Sequence, residues 1–305
     1  MRFVDAFDAG RLGTLVLGAA QLGMDYGVAN KDGKPDRHRV SAILSAAWRA
    51  GVAVIDTAQA YGDSERVIGE HLRSHPERTF HVISKLAPAT DHGDSDAVFR
   101  AGQASRERIG QPLAALMLHD ASALRCWKDG LHGGLQRCVD EGVAENIGAS
   151  VYTPTEFLSV LEIPEIRVLQ APFNALDRRL LDTGLLARAV DSGRIVILRS
   201  VFLQGLLVLE QADLPERFQF AATELMRWRR LCAQNGESCA AVAVGFVRRA
   251  APRALIVIGS ERAEQVEANA ALLAGADLPE SLFSAINSMP AVPERIVNPT
   301  LWPRT

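Results

Sequence analysis

The stretch Ala53-Val54-Ile55-Asp56-Thr57-Ala58-Gln59-Ala60-Tyr61-Gly62 joins a short apolar run to an ionisable residue and then to a glycine turn. The run from Ala53 to Thr57 has the length and side-chain character of a buried strand. Just before it, Val40, Ile43, Leu44 and Ala47 recur at the spacing of a helix with one apolar face. Helix, buried strand, polar tip and loop form one unit of a parallel α/β architecture, and the same rhythm continues in both directions. Strands are expected at Thr14 to Leu17, Ala53 to Thr57, His81 to Lys85, Ala114 to Leu118, Asn146 to Ala149, Val168 to Ala171, Ile195 to Arg199 and Ala254 to Ile258. Eight such units predict a closed (β/α)8 TIM barrel. The rival, a doubly wound open sheet, needs a GxGxxG turn after its first strand, where this chain reads Leu17-Gly18-Ala19-Ala20-Gln21-Leu22-Gly23. Pro35, Pro88 and Pro215 mark long loops after strands, but no low-complexity linker divides the chain, so residues 1–305 read as a single domain.

With 48% hydrophobic and 23% charged residues the chain has ordinary globular makeup. A formal charge of -3 offers no basic stripe for a nucleic-acid backbone or an anionic lipid surface, so neither is expected as a partner. Cys126, Cys138, Cys232 and Cys239 show no CxxC spacing and read as reduced and structural. No apolar run is long enough to span a bilayer, and Asp5 and Asp8 stand where a signal peptide carries positive charge. A cytoplasmic location is the expectation.

In a barrel the loops after the strands gather on one face, where active sites of this architecture are built. Three expected strands run into ionisable residues: Ile55 into Asp56, Ser84 into Lys85 and Leu118 into His119. Tyr61 follows Asp56 on a loop able to swing its phenol over the same mouth, with Gly62 supplying the turn. A phenol, with an ordinary pKa of about 10, is a poor acid near neutrality. A neighbouring ammonium, Lys85, would favour its anion; a carboxylate, Asp56, would keep that ammonium charged; and His119 would hold a carbonyl oxygen or relay the proton. Taken singly each of these residues also fits a capping or solvated role.

Together they resemble the aldo-keto reductases, in particular the bacterial ones. The segment Ile55-Asp56-Thr57-Ala58-Gln59-Ala60-Tyr61-Gly62-Asp63-Ser64-Glu65-Arg66-Val67-Ile68-Gly69 is similar to that family's strand-two signature. Ser84-Lys85-Leu86, Leu118-His119-Asp120, Ile147-Gly148-Ala149-Ser150, Gln170 to Asn174 and Gly259 to Asn269 follow in order. The resemblance implies hydride transfer with NADP(H) or NAD(H) and no metal, in which Tyr61 is general acid, Lys85 and Asp56 tune it and His119 orients the carbonyl. It also implies that Ser150 and Gln170 take the carboxamide of the nicotinamide and that Ser200, Leu203 and Gly205 belong to the loop over the diphosphate. Gly259, Ser260, Arg262, Gln265 and Asn269 would receive the adenosine end.

Three positions depart from the family pattern. Val151 replaces a common Asn after Ser150. Glu261 stands where many relatives carry a basic residue against the 2'-phosphate of NADP, with Arg262 beside it as an alternative contact, so both cofactor forms remain open. Arg199 replaces the ring that stacks on the nicotinamide; a planar guanidinium is able to stack there, but a cation beside an oxidised nicotinamide is disfavoured, and substrate binding is its other use. Asp25, Tyr26, Asn30 and Trp127 are expected to help wall the pocket, which favours a small polar, sugar-like carbonyl substrate. Two further functions compete: a Schiff-base aldolase using Lys85 and a nucleotide-sensing regulatory protein on the same barrel.

Overall fold

The computed structural model describes residues 1–303. Its strands are β1 (Leu15–Gly18), β2 (Val54–Asp56), β3 (His81–Lys85), β4 (Ala115–Leu118), β5 (Ile147–Ser150), β6 (Ile166–Pro172), β7 (Ile195–Arg199) and β8 (Leu255–Gly259). All pair in parallel and in sequence order, and β8 returns to β1 to close the barrel. Around it lie α1 (Arg37–Arg49), α2 (Ser64–Ser74), α3 (Ser95–Ile109), α4 (His132–Asp140), α5 (Pro154–Leu161), α6 (Leu185–Asp191), α7 (Cys239–Ala250) and α8 (Ala263–Ala274), one after each strand.

Alternation along the strands sorts the core into two shells, because successive side chains point to opposite faces. Val16, Val54, Ile83, Met117, Val168, Ile197 and Leu255 pack together inside the barrel. Their neighbours Leu17, Ile55, Val82, Leu116, Leu118, Ile147, Leu169, Val196, Leu198 and Ile256 pack outward against the helices. Gly148 leaves room in the inner layer: a Cβ there would lie 2.7 Å from Met117 Cγ and 2.8 Å from the Val168 carbonyl.

The inner parity then decides what the strand ends present. Two positions beyond Val54, Ile83, Met117, Gly148, Val168 and Ile197 stand Asp56, Lys85, His119, Ser150, Gln170 and Arg199. The sequence thus fills the barrel with aliphatic side chains and caps the filling with a polar layer at the carboxyl-terminal mouth. The opposite end is closed by a helix, Phe3–Asp8, not anticipated from the apolar pattern. Phe3 is fully buried in the inner cluster, and its backbone N–H donates to Glu145 Oε2 at 2.6 Å. The prolines mark loops as expected, and the longest of these, between β7 and α7, carries a further helix, Ala222–Gln234.

Candidate active site

Asp56 is the hub of the mouth. Lys85 Nζ donates to both of its carboxylate oxygens at 2.8 Å and to the Thr57 carbonyl at 3.0 Å. Gln170 Nε2 donates to Asp56 Oδ1 at 2.8 Å. Lys85 is only 1% exposed, so this chelation is what allows an ammonium to be buried at all. Burial pushes the Lys85 ammonium below its ordinary value, and Asp56 opposes that.

The loop carrying Tyr61 is built by the residues between it and the helix that follows. Thr57 Oγ1 donates to Ser64 Oγ at 2.8 Å, and Ser64 Oγ donates to the Ala19 carbonyl at 2.8 Å. Gln59 reaches the Ala101 carbonyl and Ser105 Oγ, each at 2.8 Å, and accepts from the Ala87 N–H at 2.8 Å. Glu65, buried at the start of α2, takes Ser84 Oγ and, at 2.6 Å, Arg108 Nε. From below the loop rests on Gly23, where a Cβ would stand 1.8 Å from the Tyr61 carbonyl oxygen. Gly62 has a φ of 56°, and a Cβ there would lie 2.2 Å from the Gly23 carbonyl oxygen.

So held, the Tyr61 ring lies with its centroid 5.1 Å from Lys85 Nζ and meets the His119 ring edge-on at 5.6 Å. The four residues singled out from the sequence are therefore brought together. Their electrostatics differ from the expectation that Lys85 lowers the phenol. Burial first and the Asp56 carboxylate second push Tyr61 above its ordinary value, while Arg199 pulls the other way. The physical reason is that both Asp56 oxygens engage Lys85, so the ion pair presents little net positive charge to the ring. Tyr61 keeps its proton at neutral pH. His119 is depressed from 6.5 to about 4 by burial and then by Lys85, so its imidazole is neutral, and Nδ1 has no hydrogen-bond partner.

A cavity of about 370 Å³ runs from Asp56 and Tyr61, past Gly18, Arg199, Ser200 and Gly205, to Glu261, Gln265 and Asn269. Ser150 and Gln170 are buried beside its inner end, and Gln170 Oε1 has no partner. Ser200, Leu203 and Gln204 all have positive φ, and Gly205 has a φ of 100°. Asn174 holds this turn by donating to the Ser200 carbonyl at 3.0 Å. The loop after β1 docks on it, with Val28 N–H donating to the Gln204 carbonyl at 2.9 Å, and the two form a strap over the cavity.

At the far end Ser260 is buried and Asn269 Nδ2 donates to its hydroxyl at 3.3 Å. Gln265 Oε1 accepts the N–H groups of Glu261 at 2.7 Å and Arg262 at 3.2 Å, and Gln265 Nε2 donates to Glu261 Oε2 at 2.9 Å. Glu261 faces the cavity. Arg262 does not line it and instead pairs with Asp32 at 3.9 Å. Gly259 lies against Gln21, whose amide a Cβ would overlap at 2.3 Å.

Among the residues expected to wall the pocket, Tyr26 lines the cavity with Tyr61. Trp127 does not; it stacks on His132 with ring centroids 5.0 Å apart, held by the irregular turn before α4. Asn30 also lines the cavity, and its side chain shapes the loop by bonding to Tyr26, Asp32 and Gly33. Asp25 does not line the cavity; its Oδ1 accepts the Lys34 N–H at 2.5 Å. Sequence reasoning missed Tyr152, whose ring lies under the Arg199 guanidinium at 4.2 Å. No local pattern marks it, since its partner stands on another strand.

Lys85 uses its three N–H donors on three oxygens, which leaves its amine no free direction toward a carbonyl carbon. That geometry disfavours the Schiff-base alternative.

Comparison with known proteins follows the same line. The model of the aldo/keto reductase family matches residues 14–290. The chain is 26% identical over 290 residues to a D-threo-aldose 1-dehydrogenase from Pseudomonas sp, covering 83% of this chain and 88% of the relative. It is 24% identical over 277 residues to an NADH-specific methylglyoxal reductase from Escherichia coli, covering 79% and 85%. The fold superposes on an aldo-keto reductase from Bacillus halodurans in its holo form with a TM-score of 0.75 at 19% identity, covering 90% of this chain and 91% of the other. An aldo-keto reductase from Klebsiella pneumoniae in complex with NADPH gives a TM-score of 0.68 at 20% identity, with 90% of each chain covered. This chain belongs to the aldo/keto reductase family, the NAD(P)H-dependent oxidoreductases that act on carbonyl and alcohol groups.

Proposed function

We propose that the protein reduces the carbonyl group of a small polar, sugar-like compound, with Tyr61 as proton donor and NAD(H) favoured over NADP(H). The observation that carries this reading is one cavity with Asp56 and Tyr61 at one end and Glu261, Gln265 and Asn269 at the other. The residues present fit a dinucleotide. Gln170 has a buried, unpartnered oxygen that suits the N–H of a carboxamide, with Ser150 paired to it across the β5–β6 register. When bound, the reduced nicotinamide supplies a hydride to the carbonyl carbon.

The chain's own groups handle the oxygen. A neutral imidazole on His119 donates a hydrogen bond to it, and this group is neutral because burial depresses it to about 4. The phenol of Tyr61 retains its proton until an alkoxide, a far stronger base, develops next to it. Asp56 fixes the Lys85 ammonium 5.1 Å from the centre of the Tyr61 ring, so the phenolate left after transfer forms beside a neutralised ion pair and is ready to take back a proton. Tyr26 and Arg199 supply polar contacts beside the reacting end.

Cofactor preference follows from charge at the far end. Glu261 turns a carboxylate into the cavity, and Gln265 occupies the two N–H groups that a phosphate would seek at that turn. A carboxylate repels a 2'-phosphate and accepts hydrogen bonds from a ribose diol. Two relatives, the D-threo-aldose 1-dehydrogenase and the NADH-specific methylglyoxal reductase, accord with a polar carbonyl substrate and an unphosphorylated cofactor. A cytoplasmic setting goes with this reading. Fluorescence titration with NADH and NADPH tests it: NADH should bind at least about tenfold tighter, and Glu261→Gln should narrow the gap. Tighter NADPH binding by the wild type would reverse the assignment.

A further inference from the structure

We infer that Arg199 biases the site toward the neutral, reduced nicotinamide, so that the protein holds NADH more tightly than NAD+. The inference rests on the cofactor reading above and concerns the net charge of Arg199, which the proton transfer from Tyr61 does not consume.

Arg199 ends β7, where it pairs with Pro172, while Gln170 pairs with Ile197 and with Ser150. It therefore stands one inward position above the level of the two residues assigned to the carboxamide. From there its guanidinium crosses β6 to donate to the Val151 carbonyl at 3.0 Å and to Ser200 Oγ at 3.3 Å, and it lies over the Tyr152 ring at 4.2 Å. The platform under it is fixed. Tyr152 N–H donates to Glu156 Oε2 at 2.7 Å, and its carbonyl accepts from Arg179 at 3.2 Å. Arg179 is itself clamped by Asp177 at 2.7 and 2.8 Å.

Every partner of Arg199 is uncharged: a carbonyl, a hydroxyl and a ring. Among the described residues no carboxylate forms an ion pair with it, although the chain has many such pairs elsewhere. Asp56, the carboxylate of the centre, has both oxygens on Lys85. Lys85 and Asp56 cancel, and one positive charge remains at the inner end of the cavity. Its field reaches the centre, since it opposes the rise of Tyr61 and adds to the depression of His119.

A nicotinamide whose carboxamide is taken by Ser150 and Gln170 brings its ring into that field. The oxidised ring carries a formal positive charge and the reduced ring carries none, so the guanidinium raises the free energy of the oxidised form alone. The cationic site thereby favours release of the oxidised cofactor after a reduction and handicaps alcohol oxidation at the binding step.

Separate dissociation constants for NADH and NAD+ in the absence of substrate test the inference on the intact chain, for the wild type, Arg199→Met and Arg199→Lys. The wild type should bind NADH roughly tenfold or more tighter than NAD+, the size expected of two unit charges a few ångströms apart at a partly solvated site. Arg199→Met should shrink that ratio severalfold, chiefly by tightening NAD+, and Arg199→Lys should keep most of it. An unchanged ratio in Arg199→Met, with KM rising instead for carboxylate-bearing carbonyl substrates, would overturn the inference and make Arg199 a substrate anchor. Failure of the wild type to bind either cofactor, phosphorylated or not, would remove the cofactor reading itself and this inference with it.

Discussion

At Asp56 one carboxylate organises two neighbours, with Lys85 on both oxygens and Gln170 on Oδ1. The chelation keeps a buried ammonium charged while presenting little net charge to Tyr61, so the phenol remains a proton donor. His119 meets the same buried setting and stays neutral. Its pKa falls from 6.5 to about 4 on folding, so between those values the unfolded chain binds a proton that the folded chain does not. His119 therefore withdraws stability as pH drops from about 6.5 toward about 4, with no further change below. His71 shifts in the same direction to about 4 and adds to the effect. Urea midpoints at pH 7 and pH 4.5 should converge in His119→Asn relative to the wild type; an equal loss in both proteins would remove His119 as a cause. The identities of these residues were legible in the sequence because strand ends and one loop carry them. Their electrostatics were not, because the sign of the shift on Tyr61 depends on which partner Lys85 faces.

The elements were legible to within one or two residues at most ends, since a doubly buried strand followed by an amphipathic helix leaves a clear apolar rhythm. Expected Ala53 to Thr57 became Val54–Asp56, and β6 proved longer, beginning at Ile166 and ending at Pro172. Period-two alternation then explains why Asp56, Lys85, His119, Ser150, Gln170 and Arg199 share one layer. What alternation does not reveal is contact between loops. Asp25 and Asn30 close their own turn, and Tyr152 supports Arg199, through pairings set by tertiary packing. The packing of Gly23 beneath the Tyr61 loop belongs to the same class. Gly23→Ala would place a methyl 1.8 Å from the Tyr61 carbonyl oxygen and 2.5 Å from Ser64 N, so the loop must move. A fall in kcat of about 100-fold is expected, as for other displacements of a reacting group by about an ångström, with NADH affinity altered far less. A kcat within twofold of the wild type would show that the loop is not held in this way.

Across the whole molecule, stability and chemistry occupy opposite ends of the barrel, a division common to this architecture. The amino-terminal end is sealed by Phe3, fully buried among Val16, Val54 and Ile83. Phe3→Ala should cost about 3–5 kcal/mol in denaturant unfolding while leaving the NADH dissociation constant unchanged, because the cavity it opens lies at the far end from the mouth. A parallel loss of cofactor affinity would show that the two ends are coupled. The helix carrying Phe3 escaped the sequence reading because it is short and its role arises only once the barrel has closed. At the other end the family's chemistry is proposed to converge on the phenol of Tyr61. The most direct measurement is the rate of NADH oxidation by Tyr61→Phe with the best carbonyl substrate of a polar aldehyde, ketone and aldose panel, at saturating cofactor. Loss of at least about 100-fold in rate, with NADH still bound as in the wild type, is the expected result. A rate within twofold of the wild type would contradict the assignment of Tyr61 as the proton donor.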